Sequence, residues 1–538
     1  MTTVADQIAS ELKKAGVEFM FGIPGGPTIP LMEALKKVGI EFILVSNEAS
    51  GGIMADVVGR LTGIPGVCHA TFGPGVTNLS TGIGGALLDR SPLISFTSEQ
   101  PDALLERTVQ MQFDQQEMLK PLTKWTTRLT RENCVETIRK ALSLAAAEVS
   151  GPVNIALPSD LCSQPAIVSQ VDFYSEETNK ISKLDPAVMS NACARLQEAK
   201  RPLLALGLSA ARLCTEDQIL NLVNTLGIPV VLTPMAKGLL PEDHPCYAGV
   251  LFHAKSDMVA DIYSKADLVV GFGYDPIEFN YESWMPEVPI IHFDTVTVDI
   301  DPEYTIAGDI VCDLSTSLEQ LLTLGKLDTI WDMAQVVDNR EAMFEAIYKE
   351  RKEFSPVEVL KALREALPEN GIMTCDVGAH THLIGQMWKT PGRGLQLMTN
   401  GWSAMGFGIP AAIGAKLCKP NVPVVCVTGD GGFLMNCGEL ITARRYGVNV
   451  VFVVLTDAEL SLIKVKQRWK EVEPYAIALH DGEFFDAEKF LGVPILTAVN
   501  KEQLADVFSK ALSHDGPIIV DAQIDGLVYQ ELTAKSHK

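Results

Sequence analysis

Short apolar strands alternate with amphipathic helices, glycines mark the junctions, and the pattern recurs in three successive segments. Together these predict an α/β protein of three doubly wound parallel-sheet domains. A chain of 538 residues is also too long for one hydrophobic core, so length alone predicts two to four domains.

In the first segment, residues 1–165, the strand-like stretches are EFMFGIPG, EFILVSNE, GVCHATFGPG, PLISFTSE and VNIALPSD. Helical patterns lie between them. The polar stretch SQVDFYSEETNKISKLDP (169–186) reads as a linker. The second segment, 185–330, offers RPLLALGLSA, IPVVLTPMAK, DLVVGFGYD and VPIIHFD as strands. A charged helical stretch, DNREAMFEAIYKERKEF, leads into the third segment, 355–538, with GIMTCDVGAH, VPVVCVTGDG, VNVVFVVLTD and GPIIVDAQID.

Composition narrows the function classes. A formal charge of −23 argues against non-specific binding to nucleic acid or to an anionic membrane. The longest apolar runs, such as VNVVFVVL, are strand-length and far short of a membrane span. MTTVADQIASELKKAG lacks a basic stretch followed by an apolar core, so no secretory signal and a cytoplasmic location are expected. The eleven cysteines include no CxxC pair and stand near no histidine cluster. They are therefore expected to be reduced core residues rather than zinc ligands or a disulfide framework.

Two aspartates carry the functional signal. Asp430 ends VPVVCVTGD and Asp457 ends VNVVFVVLTD. MNCGELITARRYG between them reads as one helix closed by Gly447. A strand, helix and strand of this length form a right-handed crossover, which would bring both carboxylates to the carboxyl edge of a parallel sheet, where such folds bind ligands. Gly429, Gly431 and Gly432 would let the backbone turn sharply and approach a ligand closely. A helix start there would suit a phosphate, and two carboxylates beside a phosphate require a hard cation such as Mg²⁺. The tripeptide alone reads as a plain strand-to-helix turn with a capping aspartate; the paired Asp457 is what makes it a candidate site.

The Gly-Asp-Gly triplet, followed some 27 residues on by a polar residue after an apolar strand, resembles the cofactor motif of thiamine-diphosphate enzymes. The resemblance implies Mg²⁺ held by Asp430, Asp457 and the main-chain carbonyl of Glu459, with Ser461 and Leu462 beside the cofactor. Relatives usually carry Asn-Asn where this chain has Thr456-Asp457. VSNEASGGIMADVVGRLTGIPGVCHATFGPG is similar to the family's first domain. It implies that Glu48 is the catalytic carboxylate, hydrogen-bonded to the pyrimidine ring in an apolar setting, with the small residues after it leaving room for that ring. FGIPGG implies Gly26 and Pro27 near the reacting carbon. DVGAH and NGWSAMGFGIPAAIGA imply that Gly378 and His380 meet the diphosphate, that the Ser403 backbone accepts the pyrimidine amino group, and that Met405 wedges the cofactor.

Within the family the chain is most similar to acetohydroxyacid (acetolactate) synthases, through RPLLALGLSA, IPVVLTPMAKGLLPEDHP, ADLVVGFGYDP and NGWSAMGFGIPAAIGAKL. The implied reaction decarboxylates a 2-oxo acid, pyruvate in the first instance, and joins the fragment to a second 2-oxo acid. FAD-binding members have an arginine-rich segment where this chain has DPIEFNYESW, so FAD is not expected. A tryptophan nine residues past the second metal ligand is replaced by Lys466, which reads either as a solvated helix residue or as a contact for an anionic acceptor. A substrate-side Phe-Gln pair maps onto Gln110 and Met111. The histidine position of benzoylformate decarboxylase maps onto Thr71, and no proton donor for simple decarboxylation is evident, which favours ligation. The alternatives are a 2-oxo acid decarboxylase, an acetyltransferase or lyase acting on an acidic aldehyde such as sulfoacetaldehyde, and a non-catalytic assembly subunit. The resemblance also implies a homodimer or homotetramer with Glu48 of one subunit serving another's cofactor.

Overall fold

Three sheets stack helices on both faces in a computed structural model that describes residues 2–167, 184–280 and 283–532. The stretch read as a linker lies outside the described residues up to position 183. The first sheet has strands β1 (Phe19–Gly22), β2 (Glu41–Leu44), β3 (Gly66–Ala70), β4 (Leu93–Glu99), β5 (Trp125–Arg128) and β6 (Pro152–Pro158), in the order β2-β1-β3-β4-β6-β5. The second has β7 (Pro202–Leu206), β8 (Val230–Leu232), β9 (Tyr247–Val250), β10 (Leu268–Phe272), β11 (Ile290–Asp294) and β12 (Ile306–Val311), in the order β12-β11-β10-β7-β8-β9. The third has β13 (Ile372–Cys375), β14 (Gln396–Leu397), β15 (Val424–Gly429), β16 (Val450–Thr456), β17 (Lys489–Phe490), β18 (Val493–Ala498) and β19 (Ile518–Gln523), in the order β14-β13-β15-β16-β19-β18-β17. Every strand pair is parallel except the short β17–β18 pair, as strands buried on both faces by crossover helices require.

The strands predicted from apolar runs are the central ones, together with the edge strand β2. The others are mostly at edges. β5 is half-buried along its length, and β12 alternates irregularly, so neither forms the continuous apolar run of a central strand. β9 is fully buried but reads YAGV, too short and glycine-containing to stand out. Pro494 inside β18 weakens the strand signal.

The segment between the two aspartates departs from the expected single helix. Helix Asp430–Asn436 starts at the aspartate itself, and a second helix, Glu439–Arg445, follows a break at Cys437–Gly438. The break admits a neighbour: a Cβ on Gly438 would lie 3.3 Å from Ser46 Cβ, and the Ser46 hydroxyl donates to the Gly438 carbonyl at 2.8 Å. Gly447 follows with φ +61°, and Val448 N–H closes back on Ala443 O at 2.9 Å, so the left-handed stop was read correctly.

The first and third domains pack tightly. Helix Glu48–Thr62 lies against helix Gly408–Cys418, where a Cβ on Gly414 would meet the Met54 carbonyl oxygen at 2.9 Å. At its far end Arg60 forms a buried hub. It donates to Asp56 at 2.6 and 2.8 Å, to Asp89 at 2.9 Å, and across the domain junction to the Met398 carbonyl at 2.7 Å. All eleven cysteines are free thiols, eight buried and three partly so. Among the described residues no helix is long and apolar enough to cross a membrane.

Candidate active site

β15 and β16 are parallel neighbours, with Gly429 paired to Leu455. Asp430 and Asp457 therefore leave the sheet side by side at its carboxyl edge. They face a cavity of about 250 Å³. Its walls include every cofactor and metal residue expected of the third domain: Gly378, His380, Ser403, Met405, Gly429, Asp430, Gly431, Gly432, Asp457, Glu459, Ser461 and Leu462. Three helices begin at this cavity, at Ala379, Asp430 and Ser461, so free N–H groups and positive dipole ends converge on it.

The two carboxylates are held differently. Asp430 Oδ1 accepts from Gly431 N–H and Oδ2 from Ala458 N–H, both at 2.8 Å. The His480 ring, absent from the sequence reading, stands 3.3 Å from the same Oδ2. Asp457 accepts from the Ser461 hydroxyl and rests against Gly526, where a Cβ would come within 2.3 Å of Oδ2. Burial raises the pKa of Asp430. Burial, with the Asp430 charge adding to it, raises Asp457 to about 7. A pair of buried carboxylates in this arrangement is relieved by a cation between them. Among the described residues no three His, Cys, Asp or Glu side chains form a metal cluster, so such a cation would need main-chain and ligand oxygens as well.

His380 supplies the clearest test of fit. Its Nε2 is buried with no hydrogen-bond partner, and burial pushes its pKa down to about 4. An orphaned polar atom of this kind calls for a partner, and a diphosphate oxygen beside the helix starts would provide one. The residues present fit thiamine diphosphate with a divalent cation.

The glycines act otherwise than expected. Gly429, Gly431 and Gly432 are not in left-handed conformations; Ser403 (φ +52°) and Ala458 (φ +63°) are, placing backbone strain at the cavity wall. A Cβ on Gly432 would lie 2.8 Å from Asp376 Oδ1, and one on Gly431 3.2 Å from Met405 Cε. Asp376, also missed from sequence, organises this wall. Its buried carboxylate accepts from the N–H groups of Val377, Gly406 and Gly408 at 2.6 to 2.9 Å. DVGAH carried the signal, a strand-end aspartate before glycine.

Glu48, Gly26 and Pro27 do not line this cavity. Glu48 opens its helix behind the Asn47 cap, is buried, and accepts from the Asn78 amide at 3.1 Å. The small residues after it serve packing rather than room for a ring: a Cβ on Gly52 would meet Gly82 Cα at 2.8 Å, and Gly51 faces the Phe21 backbone at 3.4 Å. The turn before Glu48 is pinned by the third domain. Glu439 Oε1 accepts from Ser46 N–H and Asn47 N–H at 2.9 and 3.1 Å. Gly26 is exposed with nothing within 4 Å of a would-be Cβ, and Pro27 is half-buried.

The expected substrate residues stand apart. Gln110 is exposed. Met111 is left-handed at φ +61°, and Gly73 would carry a Cβ only 2.8 Å from it. Lys466 is exposed one helical turn beyond Leu462.

Comparison with known proteins agrees with this geometry. Residues 2–118 match the thiamine pyrophosphate enzyme N-terminal TPP-binding domain, 189–321 the central domain and 376–522 the C-terminal TPP-binding domain. A probable acetolactate synthase large subunit from Methanocaldococcus jannaschii is 30% identical over 97% of this chain and 92% of its own length. The chain belongs to the thiamine pyrophosphate enzymes. Acetolactate synthase from Bacillus subtilis is 28% identical over 97% of this chain and 93% of its own. Acetolactate synthase isozyme 1 large subunit from Escherichia coli is 29% identical over 97% and 94%. The protein is therefore a thiamine-pyrophosphate-dependent enzyme, and its three sheets are the three domains of that family.

Proposed function

We propose that this enzyme decarboxylates a 2-oxo acid, pyruvate in the first instance, and ligates the two-carbon fragment to a second 2-oxo acid, as an acetolactate synthase does. The single observation that carries the reading is the third-domain cavity, where paired Asp430 and Asp457 and the partnerless His380 Nε2 meet three helix starts. The names of the relatives give it direction.

Asp430, Asp457 and the Glu459 carbonyl would hold Mg²⁺, and His380 with the helix starts would hold the diphosphate. Thiamine diphosphate, when bound, supplies the electron sink for the pair left by the departing carboxylate. Met405 and the Ser403 backbone would seat the ring system. Glu48 would hold a proton at its carboxyl against the pyrimidine. Since Glu48 is not a wall of its own chain's cavity, it would come from a second copy. Leu434 and Met435, on the helix that starts at Asp430, and Ile441, on the helix after it, are 46%, 57% and 40% exposed, and Ile29, next to the Gly26 loop, is 59% exposed. Such apolar side chains suit a subunit interface, hence a homodimer or a homotetramer. FAD has no part in this reading, since DPIEFNYESW stands where FAD-binding members carry an arginine-rich segment.

Incubation with pyruvate, thiamine diphosphate and Mg²⁺ tests the proposal. Acetolactate and CO₂ are expected, with about a 10²- to 10⁴-fold loss in Glu48→Gln and no flavin absorbance in the purified protein. Acetaldehyde as the only product would replace ligation by decarboxylation. An acidic aldehyde such as sulfoacetaldehyde as the partner substrate is a second reading, favoured by Lys466, which is exposed and forms no ion pair among the described residues.

A further inference from the structure

Twelve of the residues lining the third-domain cavity have a task in this scheme, and six do not: Val377, Ala379, Leu455, Leu460, Ile463 and Tyr529. Tyr529 is the only one of the six with a polar side chain. It sits on the helix Leu527–Leu532, which follows β19. The residue is 3% exposed, yet among the described residues its hydroxyl makes no hydrogen bond. A buried phenol needs a partner, because its ring is apolar and its hydroxyl is not. Tyr274 and Tyr348 meet that need within the chain, donating to Phe279 O at 2.6 Å and to Met387 O at 2.9 Å. The Tyr247 hydroxyl is also unpartnered, but it is sealed inside the protein, whereas Tyr529 opens on the cavity.

The helix that carries the phenol is tied down on several sides. Leu527 N–H donates to Asp525 Oδ1, and Asp525 N–H to Phe354 O, both at 2.8 Å. Lys255 N–H donates to Leu532 O at 3.0 Å, Arg351 pairs with Glu531 at 3.2 Å, and Arg468 donates to Gln530. The turn before the helix also serves the metal side of the cavity. Gly526 leaves space for Asp457, whose Oδ2 would stand 2.3 Å from a Cβ there, and Tyr529 N–H closes on Gly526 O at 3.1 Å. One short turn therefore admits the second carboxylate and sets the phenol beside it. Burial, with the Asp457 and Asp430 charges adding to it, holds the phenol pKa well above its ordinary value, so the hydroxyl keeps its proton. It is a neutral donor next to two carboxylates and bonded to neither.

We infer that Tyr529 is a further cofactor-binding residue of this cavity, its hydroxyl donating to an oxygen of the diphosphate. The inference rests on the placement of the diphosphate at His380 and the helix starts, and not on which 2-oxo acid is turned over. His380 Nε2 and the Tyr529 hydroxyl are then one device: the fold leaves both polar groups without partners, and the same anion satisfies both. This separates a binding role from a structural one. A hydroxyl that serves folding stabilises the cofactor-free protein. One that waits for a ligand weakens the cofactor-free protein and restores the loss on loading.

Calorimetric titration and thermal unfolding of the full chain test this without turnover. With Mg²⁺ present, Tyr529→Phe should bind thiamine diphosphate and inorganic diphosphate about tenfold more weakly than the unaltered protein. Mg²⁺ titrated alone should bind the two proteins alike. The cofactor-free variant should melt no lower than the unaltered protein, and about a degree higher if the hydroxyl is as costly as its burial implies, so the rise in melting temperature on loading should shrink. The role is overturned if Tyr529→Phe holds diphosphate as tightly as the unaltered protein. It is overturned equally if the cofactor-free variant melts several degrees lower and gains as much on loading, which marks a structural hydroxyl. A loss already present with Mg²⁺ alone would assign the hydroxyl to the cation instead and sink the inference. His380→Asn keeps the two readings apart. Unchanged diphosphate affinity in that variant would overturn the placement of the diphosphate, whereas a loss there beside an unaffected Tyr529→Phe would overturn the role of Tyr529 alone.

Discussion

The carboxyl edges of the second and third sheets are built alike and end differently. Both have acidic residues at strand ends: Asp275 after β10 and Asp294 at the end of β11, Asp376 after β13, Asp430 after β15 and Asp457 after β16. In the central domain the chain answers its own edge. Asp275 accepts from Arg90 at 2.6 and 3.2 Å, Tyr274 and Trp284 cover β10, and Gly273, at φ +58°, would carry a Cβ only 2.2 Å from Ala210 N. In the third domain Asp376 is also answered internally, by three N–H groups. Asp430 and Asp457, held by N–H and hydroxyl groups alone, instead open side by side onto a cavity that also holds an unpartnered imidazole nitrogen. A sheet edge becomes a site where buried carboxylates open onto a cavity with no lysine or arginine to neutralise them among the described residues.

The sharpest way to break that comparison is to remove a charge from each edge. Asp430→Ala should lower the affinity for Mg²⁺ and thiamine diphosphate by more than about 100-fold, since even residues behind the ligands of a metal are worth 10–100-fold. Asp275→Ala should leave that affinity unchanged and lower the melting temperature, because Arg90 loses its partner. Titration calorimetry and thermal unfolding of both variants check this. Equal cofactor losses would mean that the two edges do not differ in the way described.

Arg60 makes the next largest difference, at the junction rather than the edge. Arg60→Met would leave Asp56 and Asp89 as buried, uncompensated carboxylates, a loss of about 3–5 kcal/mol. It should appear as a lower denaturation midpoint, while residual folded protein binds cofactor normally. A smaller and more local effect is expected at Gly526. Its alanine variant forces Asp457 aside without changing any charge, so Mg²⁺ affinity should fall roughly tenfold with little change in melting. Gly85→Ala, where nothing lies within 4 Å of the added Cβ, is the matched control.

Sequence carried the third-domain edge almost whole, because strand-end aspartates, glycines and helix starts are local signals with fixed spacing. All twelve residues named there line one cavity. It could not show contacts between elements far apart in the chain. Glu439 reaching the N–H groups before Glu48, His480 beside Asp430, and the His253–His382 pair each join residues distant in the chain. The small residues after Glu48 were misread for the same reason: the sequence showed that they were small, but only the packing of Gly52 on Gly82 says why. Edge strands such as β5 and β12 were missed because half-burial removes the apolar run that marks a central strand.

The first domain's edge offers the mildest test, through pH. His69, in β3, is fully buried, and its Nε2 is shared with the Thr28 hydroxyl at 2.7 Å. Burial pushes its pKa down from 6.5 to about 4. In the unfolded chain the imidazole titrates near its ordinary value, so between pH 6.5 and 4 the unfolded state binds the extra proton and the folded state does not. Its contribution is complete above pH 6.5 and is lost as pH falls toward 4. The urea midpoint should therefore drop on acidification from pH 7 to pH 5. His69→Gln should lower the midpoint at pH 7 yet reduce the dependence on pH, because glutamine can meet the Thr28 hydroxyl and carries no titrating proton. A pH slope unchanged in that variant would move the acid sensitivity to the other buried imidazoles, His380 among them, and so back to the edge that holds the cofactor site.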